Sequence, residues 1–245
     1  KANGNYNYTN TTITQQYGDV VANMNFNVSD KFQITGLVGT SITDWKTEGV
    51  DFNTGIDGLK IPNQFFIQNT TTPVTSTLSA NRRQLQSVFA SANLAYDNWI
   101  YLDLTSRWDW SSTLAYTGEN PYFYPSVGLG LVLNEKLNLP EFVNMAKIRG
   151  SYAQVGNDLP PYTSLLTNTV NPYAVLTVND IAFLKTLKPE KTKSFEIGTE
   201  WRMWNNRLNV DVTYYKTNTT NQFFKVAASQ ASLNKQYAIN AGDIQ

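Results

Sequence analysis

The chain has 245 residues, of which 41% are hydrophobic, 13% aromatic and only 16% charged, whereas an average soluble domain carries about 25% charged residues. Its 19 basic and 19 acidic residues balance, so no general electrostatic attraction to nucleic acid is expected. Neither Cys nor His occurs, which excludes disulfides, thiolate catalysis, the Ser-His-Asp triad and the usual zinc ligands. We therefore expect no enzyme, no catalytic residue, no metal and no cofactor.

The hydropathy pattern excludes a transmembrane helix, because no run of about 18 apolar residues is present. It does not exclude a transmembrane β-barrel, whose strands alternate lipid-facing and lumen-facing residues and so keep the mean hydropathy low, here −0.35. The chain begins at Lys1, without Met and without an apolar signal segment. We therefore expect a processed chain or a fragment.

Period-two alternation of apolar and polar residues predicts two hairpins in the first half of the chain. The first joins strands at residues 20–28 and 32–43 through a turn at 29–31, where Ser, Asp and Lys tolerate turn geometry. The second joins strands at 88–96 and 100–110 through a turn at 97–99. Each strand is long enough to approach the 9 to 11 residues that cross a bilayer at a tilt.

The second half of the chain repeats this pattern. A fifth strand is predicted at residues 126–133, a weakly alternating sixth at 147–155, and a third hairpin with strands at 194–203 and 208–214. Two asparagines mark its turn, 204–207.

The predicted connections alternate in length. Short turns lie at 29–31, 97–99 and 204–207, and long polar segments lie at about 44–83, 111–122, 157–190 and 216–243. Residues 134–146 are intermediate, and the stretch Leu139-Pro140-Glu141-Phe142 could start a helical turn. Short turns on one side and long loops on the other are typical of outer-membrane barrels. The sequence thus predicts an all-β fold, an antiparallel transmembrane β-barrel segment of about eight strands, with residues 1–245 belonging to a single barrel domain.

Charged residues on the polar faces of the predicted strands could suggest the paired carboxylates of a glycosidase. We favour a barrel lumen lined with ion pairs and hydrogen bonds, because these residues alternate with apolar ones. They are Asp103, Arg107, Asp109, Glu196, Glu200, Arg202 and Asp211.

Aromatic residues fall into two groups. Those near strand ends predict girdles at the two membrane interfaces: Tyr96, Trp99, Trp108, Trp110, Trp201, Trp204 and Tyr214. Those in the predicted loops are candidates for contact with a ligand or partner, because sugar rings and peptide side chains both stack on aromatic faces: Trp45, Phe65, Phe66, Tyr116, Tyr162, Tyr173, Phe183, Phe223 and Phe224.

Five motifs in order resemble those of the SusC/RagA-type TonB-dependent transporters of Bacteroidetes. Residues 107–112 and 123–127 are similar to the family's "R-x-D-G-S-S … F-P-S", with Trp110 in place of its usual Gly. Residues 147–157 resemble "L-K-L-R-x-S-Y-G-x-T-G-N", with Ala153 and Val155 in place of Gly and Thr.

Three further matches follow these along the chain. Residues 187–198 resemble "L-K-P-E-x-T-x-S-x-E-I-G", 206–208 with 214–217 match the next hairpin, and 240–244 are similar to the start of "N-A-G-x-I-x-N-K-G". The resemblance is clearest from residue 85 onward.

The resemblance implies a function. It points to part of the C-terminal region of a 22-stranded outer-membrane barrel that imports an oligosaccharide or a peptide with energy from TonB. It implies a SusD-like surface lipoprotein as partner, contact with outer-membrane lipid, and coupling to the TonB complex through parts that lie outside this chain; no nucleic acid is expected.

Other functions are compatible with parts of this pattern. A TonB-dependent receptor of another class, such as a siderophore receptor, or a passive porin would share the wall chemistry. A soluble carbohydrate-binding β-sandwich would share the strand alternation.

Overall fold

The computed structural model describes residues 3–55, 58–71, 75–165, 168–170, 176–183, 185–229, 231–232 and 234–244. In this part of the chain the fold is all-β, and its helices are two 3-10 turns, Ser112–Leu114 and Leu133–Glu135. Neither is long and apolar enough to cross a membrane. The chain divides into two units: residues 1–17 with 43–84, and residues 18–42 with 85–245.

The main feature is one eight-stranded antiparallel sheet, as predicted. Its strands follow the order β1-β2-β3-β4-β5-β6-β10-β11. Their bounds are β1 Asn7–Ser29, β2 Phe32–Asn53, β3 Thr75–Tyr96, β4 Ile100–Ser111, β5 Tyr122–Val132, β6 Val143–Asn157, β10 Glu190–Met203 and β11 Leu208–Thr220. Five short strands lie in the connections: β7 Thr169–Val170, β8 Leu176–Thr177, β9 Ile181–Phe183, β12 Phe223–Ala227 and β13 Gln236–Asn240.

The first three strands are about twice as long as predicted, and the predicted loop 44–83 shrinks to residues 54–74. The added segment of β1, residues 7–19, is rich in Asn, Thr and Gln and lacks an apolar face. Alternation of hydrophobicity therefore cannot reveal it, although Thr favours extended backbone. Its strand structure depends on hydrogen bonding to the neighbouring strand.

The tight turns form where predicted. Asp97 and Asn98 adopt φ of 49° and 58°, and Asn205 and Asn206 adopt 55° and 61°. Asp and Asn tolerate this left-handed conformation better than other side chains. The turn between β1 and β2 is shorter than predicted by one residue, since β1 continues through Ser29.

The connection between β5 and β6 corrects one prediction. The helical turn is at Leu133–Glu135 and not at 139–142. Residues 140–143 form a tight turn instead, in which the Pro140 carbonyl accepts a hydrogen bond from the Val143 N–H at 2.8 Å. The Oδ1 of Asn134 accepts a hydrogen bond from the Ala146 N–H at 2.5 Å, which extends β6 beyond the predicted start at 147.

The register separates an apolar face from a polar face across β3 to β6, β10 and β11. Leu102 lies opposite Leu94 and Leu129, and the row continues through Gly150 and Ile197. Directly opposed residues share a face and successive residues alternate. The next row, on the other face, runs Asn93, Asp103, Gly128, Ser151, Glu196 and Tyr215.

Within the second unit the connections group at two ends of the sheet. The turn end carries residues 30–31, 97–99, 133–142 and 204–207, and the Asp97 N–H donates to the Lys31 carbonyl there at 2.6 Å. The loop end carries residues 112–121 and 158–189. This asymmetry agrees with the predicted alternation of short and long connections.

The long connections of the second unit are partly ordered as strands, which corrects the prediction of structureless loops at 157–190 and 216–243. Strands β12, β13 and β9 form a three-stranded sheet, and β7 pairs with β8. A small apolar core lies at the loop end, and its buried members come from five segments: Leu114, Tyr122, Leu159, Leu187 and Ala238. The loops thus pack on one another around this core.

In the first unit, residues 61–69 close on themselves. The Asn69 side chain is 2% exposed, and its Nδ2 donates to the carbonyls of Ile61 and Gln64 at 2.8 and 2.7 Å. Its Oδ1 accepts a hydrogen bond from the Ile61 N–H at 2.9 Å. One buried amide therefore holds both sides of this connection.

Candidate functional site: two sheet faces and the loop end

The apolar face of the sheet exposes more apolar surface than is favourable in water. Leu104, Val127, Leu129, Phe195 and Ile197 are 39 to 48% exposed and belong to adjacent rows of this face. A contiguous exposed apolar surface marks a partner or a membrane. With polar residues alternating on the opposite face, the arrangement matches the wall of a transmembrane barrel.

The polar face carries the predicted ion pairs. The Arg149 guanidinium lies between two carboxylates, with its Nε 3.6 Å from Glu196 and its Nη2 3.0 Å from Asp211. It also donates to the Thr213 hydroxyl at 2.7 Å. Charge-assisted hydrogen bonds of this kind are stronger than neutral ones and fix the guanidinium in place.

Three further charged residues of this face, Glu200, Arg202 and Asp103, also make side-chain hydrogen bonds. Arg202 donates to Glu200 at 2.8 Å, and Asn93 donates to Asp103. Within the described residues no group of three or more acidic side chains could hold a metal ion. Hydrogen-bonded charged side chains of this kind suit the lining of a barrel wall.

A buried polar network lies where the polar face meets the loop end. Asp109 is 2% exposed and accepts hydrogen bonds from Arg107, at 2.7 Å, and from the Tyr124 hydroxyl. Arg107 also donates to the Ser87 hydroxyl at 2.8 Å. The network joins β3, β4 and β5.

A second buried group continues this network into the loops. The Ser111 hydroxyl donates to Asp158 at 2.6 Å, and the Ser164 hydroxyl donates to the Thr113 carbonyl at 2.8 Å. These contacts connect β4 to the segment that follows β6. Sequence reasoning placed Arg107 and Asp109 on the polar face but did not find their buried partners, which are distant in the chain.

The turn end carries a charge cluster that the sequence did not indicate. Lys136 donates a hydrogen bond to the Asp97 carboxylate, and the Nζ of Lys31 lies 4.0 Å from the same group. The hydrogen bond from Lys136, with the nearby charges of Lys136 and Lys31, lowers the pKa of Asp97 below its ordinary value of 3.8. Three neighbouring connections therefore meet at one carboxylate.

The aromatic residues that were predicted to contact a ligand or partner fall into two groups, those in connections and those in strands. Phe65, Phe66, Tyr116 and Tyr162 lie in connections and are 44 to 61% exposed, as such a role requires. Tyr173 lies outside the described residues.

Four others do not lie in structureless loops. Trp45 belongs to β2, where the Arg83 guanidinium lies 4.1 Å from its ring centroid. Phe183 belongs to β9, and Phe223 and Phe224 to β12. Phe223 packs against the loop-end core, whereas Phe224 is 43% exposed.

The predicted girdle residues lie at several depths in the second unit. Tyr96, Trp99, Trp201 and Trp204 lie towards the turn end, and Trp204 stacks on Phe142 at 5.7 Å. Trp108 and Trp110 lie towards the loop end, where Trp108 packs 4.4 Å from Phe123. Tyr214 lies within β11, opposite Ile197. The assignment to two girdles stays a prediction.

Comparison with known proteins agrees with this geometry. The family model for the TonB-dependent receptor-like β-barrel matches residues 1–245. Two similar proteins of Formosa agariphila are TonB-dependent receptor P39, 27% identical over 91% of this chain, and TonB-dependent receptor P26, 27% identical over 89% of it. The matched regions are 22% and 23% of those proteins.

Solved structures show the same fold. The RagAB peptide transporter superimposes with a TM-score of 0.79 at 20% identity, over 97% of this chain and 27% of that one. A ferric enterobactin receptor of Pseudomonas aeruginosa gives 0.58 at 14% identity, over 95% of this chain and 32% of that one. The chain thus spans about a quarter of the length of these relatives. It belongs to the TonB-dependent receptor-like β-barrel family, whose members lie in the bacterial outer membrane.

Proposed function

We propose that this chain is the barrel wall and part of the extracellular loops of a transporter that imports oligosaccharides or peptides together with a SusD-like surface lipoprotein. One observation carries the proposal. The chain superimposes on the RagAB peptide importer with TM-scores of 0.79 and 0.80, but on the ferric enterobactin receptor with 0.58, over nearly the same share of its residues. The five motifs shared with SusC/RagA-type transporters support the same class.

The wall chemistry fits this role. Paired charges on the polar face provide a hydrated lining, and the apolar face suits lipid. The exposed aromatics of the connections, Phe65, Phe66, Tyr116, Tyr162 and Phe224, are the proposed contacts for ligand or lipoprotein. Family membership argues against the passive porin and the soluble β-sandwich.

The test uses the full-length protein extracted from native outer membranes in mild detergent. Co-purifying proteins are identified by mass spectrometry, and the complex is then incubated separately with a peptide pool, an oligosaccharide pool and a ferric siderophore. We expect a co-purifying lipoprotein and retention of peptides or oligosaccharides. Retention of the siderophore alone, without a lipoprotein, would show that the receptor belongs to another class.

A variant in the same assay tests the loop contacts. Tyr116→Ala removes a ring that is 61% exposed, and it should reduce the retained ligand or lipoprotein several-fold. Gly118→Ala is the matched control, because a Cβ added there meets no atom within 4 Å. If both variants behave like the wild type, Tyr116 is not a contact residue.

A further inference from the structure

Three lysines interrupt the apolar face near the loop end. In the register of β10 and β11, Lys193 lies opposite Asn218, and Lys216 lies opposite Phe195. Lys191 lies two positions before Lys193 and therefore on the same face. Lys193 and Lys216 are exposed and Lys191 is half-buried. Lysines on a lipid-facing surface need a reason, since charge there is unfavourable at the bilayer midplane.

The position of the three lysines relative to the membrane explains why they are tolerated on this face. Lys193 lies ten positions from Met203, the last residue of β10 before its turn. At about 3.3 Å per residue and a tilt of about 40°, ten residues rise by about 25 Å, the height of the apolar band of an outer-membrane barrel. Lys191 lies beyond that level, and Lys216 is close enough below it for its long side chain to reach the polar region. Because long loops are extracellular, this is the outer-leaflet boundary.

The charge of these lysines is uncompensated on their own face. None of the three makes an ion pair within the part of the chain that the structure describes. The acids of both strands, Glu196, Glu200 and Asp211 among them, occupy the polar face instead. Opposite Lys193 stand the neutral side chains of Gln154 and Asn218. The patch is therefore positive, and an anion is needed to balance it.

A groove next to the patch suits an amphipathic anion. Phe123 and Pro125 continue the apolar face into it, and Glu119, Gln154, Lys188 and Lys191 also line it. The Nζ of Lys188 already lies 3.4 Å from Glu119, which leaves Lys191 as the groove's available cation. An apolar floor beside a basic rim matches a lipid whose chains lie in the membrane and whose headgroup is anionic.

We propose that Lys191, Lys193 and Lys216 form a binding site for the phosphate group of lipid A, the anionic glycolipid of the outer leaflet, with its acyl chains lying on the adjoining apolar face. Lys supplies compact charges that bind phosphate oxygens. Such a lipid would fix the height of this wall segment in the membrane and stabilise the protein against unfolding.

The test compares full-length protein with its Lys191→Gln, Lys193→Gln and Lys216→Gln triple variant. Both are reconstituted in nanodiscs with phosphorylated lipid A, with dephosphorylated lipid A, or with neutral lipid plus inorganic phosphate, and bound lipid is counted by native mass spectrometry. The matched control changes Lys60, Lys185 and Lys225 to Gln, which removes the same charge from outside the patch. Folding of every variant is checked by its heat-modifiable mobility in gels.

We expect the triple Gln variant to bind phosphorylated lipid A at least tenfold more weakly than wild type and the control. Dephosphorylation should weaken wild-type binding to the same level, and a triple Lys→Arg variant should retain it. Equal retention by the Gln variant, or equal binding of dephosphorylated lipid, would overturn the proposal. Binding of inorganic phosphate as tight as that of the lipid would overturn the assignment to a lipid.

Discussion

At the scale of single residues, Asp97 shows how one carboxylate can connect three hairpin ends. Its φ of 49° suits Asp or Asn, its N–H bonds the Lys31 carbonyl, and its side chain pairs with Lys136. Because Asn tolerates the same backbone, Asp97→Asn removes the charge without straining the turn.

The pH dependence of this contact follows from the lowered pKa of Asp97. A depressed folded-state pKa contributes stability above the unfolded value, near 3.8, and this contribution is lost as the pH falls through the folded-state pKa. We expect Asp97→Asn to lower the thermal transition of the full-length protein slightly at pH 7 and to match wild type well below pH 3.8. The thermal transitions of both proteins in detergent at several pH values measure this.

Asp30→Asn is the control for this measurement. Asp30 lies in the neighbouring turn and makes no ion pair among the residues that the structure describes. Its replacement should leave the transition unchanged at each pH. A gap between Asp97→Asn and wild type that persists unchanged into strong acid would rule out the proposed contribution of the ion pair.

At the scale of elements, the two faces of each strand should respond oppositely to charge. Leu129 lies on the apolar face of β5 and is 44% exposed, opposite Leu102 and Gly150. An arginine on the lipid side near the midplane costs about 2–4 kcal/mol in outer-membrane barrels. We therefore expect Leu129→Arg to lower the midpoint of denaturant unfolding in lipid vesicles.

Ser151 provides the matched comparison on the neighbouring strand. It is exposed on the polar face, opposite Gly128 and Glu196. An arginine there would meet water and a carboxylate, so Ser151→Arg should leave the unfolding midpoint nearly unchanged. The assignment of faces would be wrong if Ser151→Arg were the more destabilising of the two variants.

The extent of the strands shows where sequence patterns lose information. The apolar alternation of 20–28 and 88–96 indicated real strands, but it marked only the part of β1 and β3 that has an apolar face. The Asn- and Thr-rich extension of β1 lacks an apolar face, so only pairing with its neighbour identifies it. Similarly, Asn134 and Pro140 fix the β5–β6 connection through contacts that the sequence does not reveal.

At the scale of the whole molecule, the orientation in the membrane is testable by labelling. The chain has no Cys, so single cysteines can report exposure. Position 118, changed by Gly118→Cys, lies at the loop end, and position 207, changed by Arg207→Cys, lies at the turn end; both positions are exposed. In intact cells a membrane-impermeant maleimide should label the first strongly and the second only after permeabilisation, because long loops face outward.

Wild-type cells treated in parallel give the background of that experiment. Labelling of Arg207→Cys in intact cells, with Gly118→Cys protected, would show the opposite orientation and would remove the basis for placing the lysines at the outer leaflet.

The class of this protein could be predicted from its residues alone. Four signals were enough to predict eight strands of an outer-membrane barrel. They are the period-two alternation, the balanced and sparse charge, the tight turns at 97–99 and 204–207, and the five motifs in order. These signals are local, since they depend on spacing along one strand or on the backbone preference of one turn. Aromatics in predicted loops were a weaker guide, as Trp45 in β2 shows.

Contacts between residues that are distant in the chain could be identified only from the three-dimensional structure. Four features join positions that are distant in sequence or lie on different strands. They are the buried network of Asp109, the contact of Lys136 with Asp97, the loop-end core and the group of three lysines on β10 and β11. Register converts a pattern on one strand into a surface, because opposed residues share a face. The spacing of residues along one strand determines which residues lie on each of its two faces. The pairing between strands determines which of these residues come together to form a site.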